Sequence, residues 1–211
     1  MLAAALALLM LVTAPAPADL SRPRLHLRLE VEPGVVLSAA DLAEVAAGVR
    51  RIWAPLLDVA VSTPGDARAP IAVDTVRVQF TNRTLDDQAH TGLAWIGFVN
   101  GEPQPRVTVS VSAVRRLGAA GTWHGRPFSS LPRRASVLFL QRALTRALAH
   151  EVGHYLLRTT AHAGQGLMRA VFSVDELMDT RPSLERLDRE SSERLRQHDL
   201  IARAGGDGEE G

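Results

Sequence analysis

Hydrophobic and polar residues alternate strictly over residues 24–31, where every second position is leucine or valine. Such alternation predicts a strand with one buried face. Ser38, followed three residues later by Asp41, resembles a capping box, and the apolar residues behind it recur at helical spacing until about Trp53. A strand followed by a helix therefore opens the predicted fold.

Shorter apolar runs, separated by turns that contain glycine or proline, predict four more strands. These strands cover residues 59–62, 71–80, 93–99 and 106–113. The last two flank Asn100 and Gly101 and are predicted to pair as a hairpin. Residues 118–132 are rich in glycine, serine and proline and are predicted to form a loop.

The strongest helical pattern lies in residues 133–157, where leucine or valine recurs every four residues from Leu144 to Leu156. A charged helix is predicted over residues 180–203. Residues 205–211 have no apolar side chain to bury, which predicts a disordered tail. Together these elements predict an α+β fold with a small mixed twisted sheet, an N-terminal helix, a long helix that carries the candidate site, and a C-terminal helix.

The composition fits one globular domain, which we assign to residues 19–204. The chain has 211 residues, and 46% of them are hydrophobic, enough for a full core. Its 24 basic residues, all arginine, nearly balance 23 acidic ones, so the net charge of +1 does not favour nucleic acid as a partner. Any partner must therefore be recognised by a local site.

The first residues have the pattern of a signal peptide. An apolar run covers residues 1–12, and the small residues Ala16 and Ala18 precede Asp19. This pattern predicts that residues 1–18 are cleaved after Ala18 and that the protein is secreted or periplasmic in a bacterium. The run is short for a membrane-spanning helix, so no stable membrane insertion is expected after cleavage; an uncleaved anchor is the alternative. Without cysteine, the exported domain has no disulfides and depends on its core and on any bound metal.

The long helix contains the residues that carry chemistry. His150 and His154 are four residues apart, which places both imidazoles on one helix face, about one turn from each other. The two imidazoles can therefore bind the same zinc ion. Glu151 lies one step round the helix, where its carboxylate reaches a water molecule and acts as a general base. Two surface histidines are the alternative, but this helix is apolar on several sides, where an unpaired polar cluster is costly to bury.

This motif resembles that of the metzincin clan of metallopeptidases, in which His-Glu-x-x-His-x-x-Gly-x-x-His precedes a methionine-containing turn. His150, Glu151 and His154 match it, His162 resembles the third zinc ligand, and the segment ending at Met168 resembles the turn. The resemblance implies a zincin-like catalytic domain with one catalytic zinc ion and a peptide or protein as substrate.

The match has two departures. The third histidine of the family comes six residues after the second, where this chain has Thr160, and Leu157 replaces the glycine that ends the helix. A connection two residues longer accounts for both, with the helix ending near Arg158 and the chain turning back at Thr159 and Thr160.

An acidic cluster offers a competing third ligand. Glu176 lies 22 residues after the second histidine, about where thermolysin-like hydrolases have a zinc-binding glutamate. Asp175 or Asp179 could instead orient a ligand histidine from behind. We favour His162, because Pro182 and the apolar stripe beginning at Leu184 suggest that the next helix starts only after the acidic cluster.

Other features are less specific. Residues 91–98 resemble the edge strand with which metzincins bind substrate, and a buried hairpin strand explains them nearly as well. Trp123 and His124 either line the cleft or form a loop packing cluster. A non-catalytic, zinc-stabilised binding module is a further hypothesis, although such a site does not need Glu151. Nothing in the sequence indicates an oligomeric state.

Overall fold

A computed structural model of the protein describes residues 24–66, 75–84 and 92–206, with only the backbone of Arg24 and of residues 198–206. The predicted signal peptide, residues 1–18, and its cleavage after Ala18 lie outside the described residues. So do residues 71–74 of a predicted strand and residues 207–211 of the predicted tail.

The elements confirm the predicted α+β class. The main strands are β1 (Arg24–Val31), β2 (Asp58–Ser62), β3 (Thr75–Thr81), β4 (Ala94–Val99) and β5 (Glu102–Ser110). The helices are α1 (Ala39–Trp53), α2 (Val111–Ala120), α3 (Arg133–Leu157), α4 (Val174–Met178) and α5 (Arg189–Gly206). A small hairpin, β6 (Thr122–Trp123) with β7 (Arg126–Pro127), and short 3₁₀ helices at Phe128–Ser130 and Pro182–Leu184 complete the described chain.

The sheet is mixed, as predicted, with the strand order β2-β1-β3-β5-β4. Strands β1, β2, β3 and β5 are parallel, whereas β4 runs antiparallel to β5 at the edge. The predicted hairpin is therefore confirmed, although β5 begins earlier, at Glu102. Leu25, Leu27 and Leu29 of β1 are buried in the core together with the apolar faces of α1 and α3.

Two helix starts follow from local hydrogen bonds. The predicted capping box is present, since the Ser38 hydroxyl accepts from the Asp41 N–H at 3.1 Å and the Asp41 carboxylate accepts from the Ser38 N–H at 3.0 Å. Helix α2 was missed, because residues 106–113 were assigned to one strand and residues 118–132 to a loop. The Ser110 hydroxyl accepts from the Ala113 N–H at 3.1 Å, which ends the strand and begins a helix.

The C-terminal part also differs from the prediction. The acidic cluster itself forms α4, capped by Ser173 and Glu176, so the expectation that no helix starts before Pro182 is wrong. Helix α5 begins only at Arg189, because the Asp188 carboxylate accepts from the Ser191 N–H at 2.7 Å. It extends through Gly206, two residues into the segment predicted as a tail. None of the described helices is long and apolar enough to span a membrane.

Helix α3 has an exposed beginning and a buried second half. Val137 and Leu138, near its start, are among the most exposed large apolar side chains of the described residues. From Ala143 to His154 nearly every residue is buried against the sheet or its neighbouring helices. The candidate site therefore lies in the part of the helix with the most fixed surroundings.

Candidate metal centre

The structure brings together the three histidines that the sequence singled out. One nitrogen from each of His150, His154 and His162 lies within 4.8 Å of the other two. His150 and His154 are buried on α3, and His162 is exposed on the following loop. Their ring centroids are 4.7–5.2 Å apart. Among the described parts of the chain, no other group of three histidine or carboxylate side chains could hold a metal ion.

Backbone carbonyls fix the orientation of both buried rings. Nδ1 of His150 lies 2.8 Å from the carbonyl oxygen of Leu167, and Nδ1 of His154 lies 2.7 Å from that of Thr159. A carbonyl oxygen only accepts a hydrogen bond, so each Nδ1 carries the ring proton. In the neutral rings each Nε2 is therefore left with a lone pair.

These lone pairs provide a test of whether the residues fit a metal ion. The two Nε2 atoms are 3.0 Å apart, too close for two acceptors without a cation or a proton between them. Tetrahedral zinc with bonds of about 2.0–2.1 Å to nitrogen would hold two such atoms at about 3.4 Å. The spacing in the protein is close to that value, so the residues fit a zinc ion.

The charge state of the rings also suits a metal. The pKa of His150 is lowered to about 4, chiefly by burial and to a smaller extent by His154 and His162, although its bond to the Leu167 carbonyl opposes this shift. Burial likewise lowers the pKa of His154, although its bond to the Thr159 carbonyl opposes this shift. Both rings are thus neutral at physiological pH, the form in which imidazole binds metal.

The loop that carries His162 starts with a left-handed turn. Helix α3 ends at Leu157, and Arg158 adopts φ 48°, so the predicted end of the helix is confirmed. The chain reverses at Arg158, however, and not at Thr159 and Thr160 as predicted. The left-handed conformation costs a residue other than glycine about 1 kcal/mol, and it performs the function of the missing helix-ending glycine.

The side chain of Met168 is buried and packs against Gly153, which lies on α3 between His150 and His154. A Cβ atom added to Gly153 would lie 2.3 Å from Sδ of Met168, so only glycine allows this packing. Sequence reasoning missed the role of Gly153. A signal was present, because glycine inside a helix costs about 1 kcal/mol relative to alanine and needs a compensating reason.

Glu151 contacts the edge strand. Its carboxylate is buried and accepts a hydrogen bond from the backbone N–H of Ile96 in β4. Burial raises the pKa of Glu151 to about 7, and the bond from Ile96 opposes this shift. The carboxylate is not one of the three clustered ligand groups, so its position differs from that of a metal ligand.

The carboxylates of the acidic cluster bond to groups outside the metal centre. The Glu176 carboxylate accepts from Nη1 of Arg169 at 2.5 Å and from the Ser173 N–H at 2.9 Å. Asp175 accepts from the backbone N–H of His124 at 3.0 Å, and Asp179 accepts from the guanidinium and backbone of Arg181. The structure therefore assigns Glu176 to an ion pair and a helix cap. Backbone carbonyls, and not Asp175 or Asp179, orient the buried histidines.

Trp123 and His124 form a packing cluster at the tip of the β6–β7 hairpin. Their ring centroids are 5.0 Å apart, and Trp123 packs against the core. His124 adopts φ 50° in the turn and is held to α4 through Asp175. The loop packing interpretation is the one that these contacts support.

Comparisons with known proteins found only distant structural similarity. No protein-family profile matches the chain, and no curated protein sequence matches it. An archaemetzincin from Methanopyrus kandleri is 14% identical, with a TM-score of 0.48 over 89% of this chain and 99% of that one. A zinc-dependent peptidase from Methanocorpusculum labreanum is 13% identical, with a TM-score of 0.48 over 81% of this chain and 99% of that one. The similarity is too distant to assign a function, which must be inferred from the site.

Proposed function

We propose that this protein is a zinc-dependent peptidase in which His150, His154 and His162 bind one zinc ion and Glu151 is the general base. The observation that carries the proposal is the 3.0 Å separation of two unprotonated Nε2 atoms with a third imidazole beside them. A cation between the two atoms satisfies both lone pairs, and three nitrogen ligands are typical of a catalytic zinc site.

The number of ligands favours catalysis over a purely structural role. Structural zinc sites are usually closed by four protein ligands, whereas catalytic sites keep a position for water or substrate. In the parts of the chain that the structure describes, only three side chains converge, and His162 is exposed. A structural site would also have no use for the buried carboxylate of Glu151.

Glu151 performs the proton transfers in this proposal. When bound, zinc would polarise the scissile carbonyl and make a water molecule more acidic. Glu151 accepts a proton as the water oxygen attacks the carbonyl carbon, then delivers it to the amine nitrogen as the C–N bond breaks. A pKa near 7 suits both steps, because the carboxylate can gain and lose a proton at neutral pH. The Ile96 N–H keeps the carboxylate oriented.

The edge strand supports a peptide as the substrate. Strand β4 pairs only with β5 among the described strands, so no other described strand covers its outer side. An extended peptide can add to such an edge as a further strand. Ile96 of the same strand contacts Glu151, which would bring a bound peptide close to the base.

Export is also part of the proposal and is supported by the sequence pattern of residues 1–18 alone. A signal peptide ending at Ala18 would deliver the domain to the periplasm or to the outside of the cell. The absence of cysteine is compatible with folding there without disulfide formation.

The test combines metal content with hydrolysis. The purified protein is treated with a chelator, reloaded with zinc, and assayed for zinc stoichiometry and for cleavage of an unstructured protein such as denatured casein. We expect one zinc ion per chain, and cleavage only after reloading. Stoichiometric zinc with no cleavage of any unstructured substrate would favour the binding-module hypothesis. Failure to bind zinc would reject both.

A further inference from the structure

A buried arginine lies on α3 one turn before His150. The Arg146 side chain is 3% exposed. Its guanidinium donates hydrogen bonds to the backbone carbonyl oxygens of Glu176 and, at 3.3 Å, of Asp179. Its Nη2 lies 3.6 Å from the Glu185 carboxylate. Burying a guanidinium is costly unless it is paired, and these three partners offset the cost of burying Arg146.

The chain after Met168 is wrapped around this guanidinium. Two arginines contact the Phe172 ring, whose centroid is 5.5 Å from Cζ of Arg146 and 5.4 Å from Cζ of Arg169. Arg169 in turn pairs with Glu176. Arg146 therefore organises the segment between the methionine turn and Glu185 from the inside, through charge, hydrogen bonds and aromatic contact.

The residue after Glu185 connects this segment to the metal centre. The Arg186 carbonyl oxygen accepts from the Leu167 N–H at 2.8 Å. The carbonyl oxygen of the same Leu167 accepts from Nδ1 of His150 at 2.8 Å. The approach is tight, because Gly166 has φ 74° and a Cβ atom there would lie 2.5 Å from the Arg186 oxygen. Leu167 is thus held on one side by Arg186 and holds His150 on the other.

These contacts form a closed circuit that starts and ends on α3. Arg146 contacts Glu185, whose neighbour Arg186 bonds to Leu167, and Leu167 bonds to His150, one turn from Arg146. Displacement of Glu185 would move the Arg186 carbonyl and release the Leu167 peptide. His150 would then lose the bond that keeps its proton on Nδ1 and its Nε2 directed at the metal.

We propose that Arg146, acting through Glu185 and Arg186, is a positioning residue that sets the orientation of His150 in the metal centre. The inference rests on the proposed zinc site. It assigns part of the zinc affinity to the ion pair between the buried Arg146 and the partly exposed Glu185, neither of which belongs to the group of three histidines.

A matched control lies one turn earlier on the same helix. Arg142 donates a hydrogen bond to the Met178 carbonyl oxygen, so it also holds the wrapped segment. Unlike Arg146, it makes no described ion pair with Glu185. Replacing Arg142 therefore loosens the same segment without breaking the circuit to His150.

The experiment compares Glu185→Ala and Arg146→Met with Arg142→Met. Zinc affinity is measured by competition with a chromophoric chelator, and the unfolding free energy of the zinc-free proteins by urea denaturation. Residues behind a metal ligand typically contribute 10–100-fold to metal affinity. We expect about tenfold weaker zinc binding in Glu185→Ala and in Arg146→Met, and less than a twofold change in Arg142→Met. Glu185 is partly exposed, so its variant tests the circuit even if Arg146→Met fails to fold.

A second measurement separates positioning from general loosening. In the zinc-loaded protein the Nδ1 protons of His150 and His154 are observed by NMR, and His154 serves as the internal reference because Thr159 binds it independently. In Glu185→Ala we expect faster solvent exchange at His150 only. Wild-type zinc affinity in Glu185→Ala, or equal losses in Glu185→Ala and Arg142→Met, would overturn the inference. A wild-type protein that binds no zinc would instead reject the proposed function.

Discussion

The Nε2 atoms of His150 and His154 face each other at 3.0 Å while their Nδ1 atoms are held by backbone carbonyls. The protein thus presets both the direction and the tautomer of the two proposed ligands before any ion binds. Preset ligands lower the ordering cost of binding, which favours high affinity. His162, the third proposed ligand, comes from an exposed loop and completes the group only because the chain reverses at Arg158.

Replacing His162 with alanine should remove zinc at neutral pH, because two imidazoles alone seldom hold the ion firmly. Zinc content after dialysis, measured by atomic absorption, tests this. The matched variant is Glu176→Ala, which should retain zinc while losing about 1–3 kcal/mol of unfolding free energy, since it removes a helix cap and the Arg169 pair. The reverse pattern would establish a thermolysin-like site.

Replacing Glu151 with glutamine should lower turnover by roughly two orders of magnitude or more, the usual share of a general base. Zinc content should be unchanged, because the carboxylate is not one of the ligands. The glutamine carbonyl can still accept from the Ile96 N–H, so the geometry is preserved. Peptide hydrolysis assays on zinc-loaded protein provide the measurement. Full activity in this variant would remove Glu151 from the mechanism.

The zinc-free protein should show opposing pH effects from two neighbouring groups. The pKa of His150 is about 4 in the folded state and 6.5 in the unfolded state. Between these two values the unfolded state binds more protons, so the contribution of His150 lowers the free energy of unfolding as the pH falls. The pKa of Glu151 is about 7 in the folded state and 4.5 in the unfolded state. Between these two values the folded state binds more protons, so the contribution of Glu151 lowers the free energy of unfolding as the pH rises. Between pH 4.5 and 6.5 these two slopes oppose each other.

Glu151→Gln removes the opposing contribution of Glu151 and should therefore reveal the pH dependence of the unfolding free energy that His150 causes. Relative to the wild type, the chelator-treated variant should lose about 1 kcal/mol of unfolding free energy per pH unit as the pH falls from 6.5 to 4.5. Urea denaturation at three pH values gives the slopes. Parallel slopes for the two proteins would show that burial does not shift these groups in opposite directions.

Gly153→Ala should destabilise the protein by up to about 2 kcal/mol, because the methyl group would lie 2.3 Å from Sδ of Met168, and this overpacking outweighs the gain of about 1 kcal/mol from alanine in a helix. Zinc affinity should fall as well, since Gly153 lies between the two ligand positions on α3. Gly164→Ala is the matched control, because a Cβ atom there meets nothing within 4 Å. Thermal denaturation with and without zinc measures both effects. Equal behaviour of the two variants would contradict the packing argument.

Expression in a bacterial host should yield a mature chain that begins at Asp19, because Ala16 and Ala18 present small side chains to the signal peptidase. N-terminal sequencing of the periplasmic or secreted protein tests this. Ala18→Arg should block processing, whereas the same change at Ala14 should have less effect. A chain that retains Met1 would show that residues 1–18 are an anchor.

The sequence was most informative where a feature depends on local spacing. A spacing of four residues from His150 to His154 within one helical pattern suffices to place both rings on the same face, and Ser38 with Asp41 suffices to start α1. The strand β1 was equally clear from its alternation. Each of these features is decided by residues within one or two turns of each other.

Features that depend on the backbone or on distant partners were not predictable. Leu167 and Thr159 orient the histidines through carbonyl oxygens, which every residue has. The left-handed conformation of Arg158 was not predictable, because an arginine in the sequence does not indicate a positive φ. Helix α2 was hidden because its first residue, Val111, continues the alternation of Val107 and Val109 in β5, and only the Ser110 cap ends the strand.

The bond from the Ile96 N–H to the Glu151 carboxylate limits how well the β4–β5 hairpin can tolerate insertions. Along a strand, successive N–H groups point to opposite sides, so a slip of one residue would turn a different group toward Glu151. Surface hairpin tips ordinarily absorb added or deleted residues without harm. Here the number of residues between Ile96 and the turn at Asn100 sets which backbone atom faces the buried Glu151 carboxylate. The length of a surface loop therefore decides whether that carboxylate keeps its hydrogen bond.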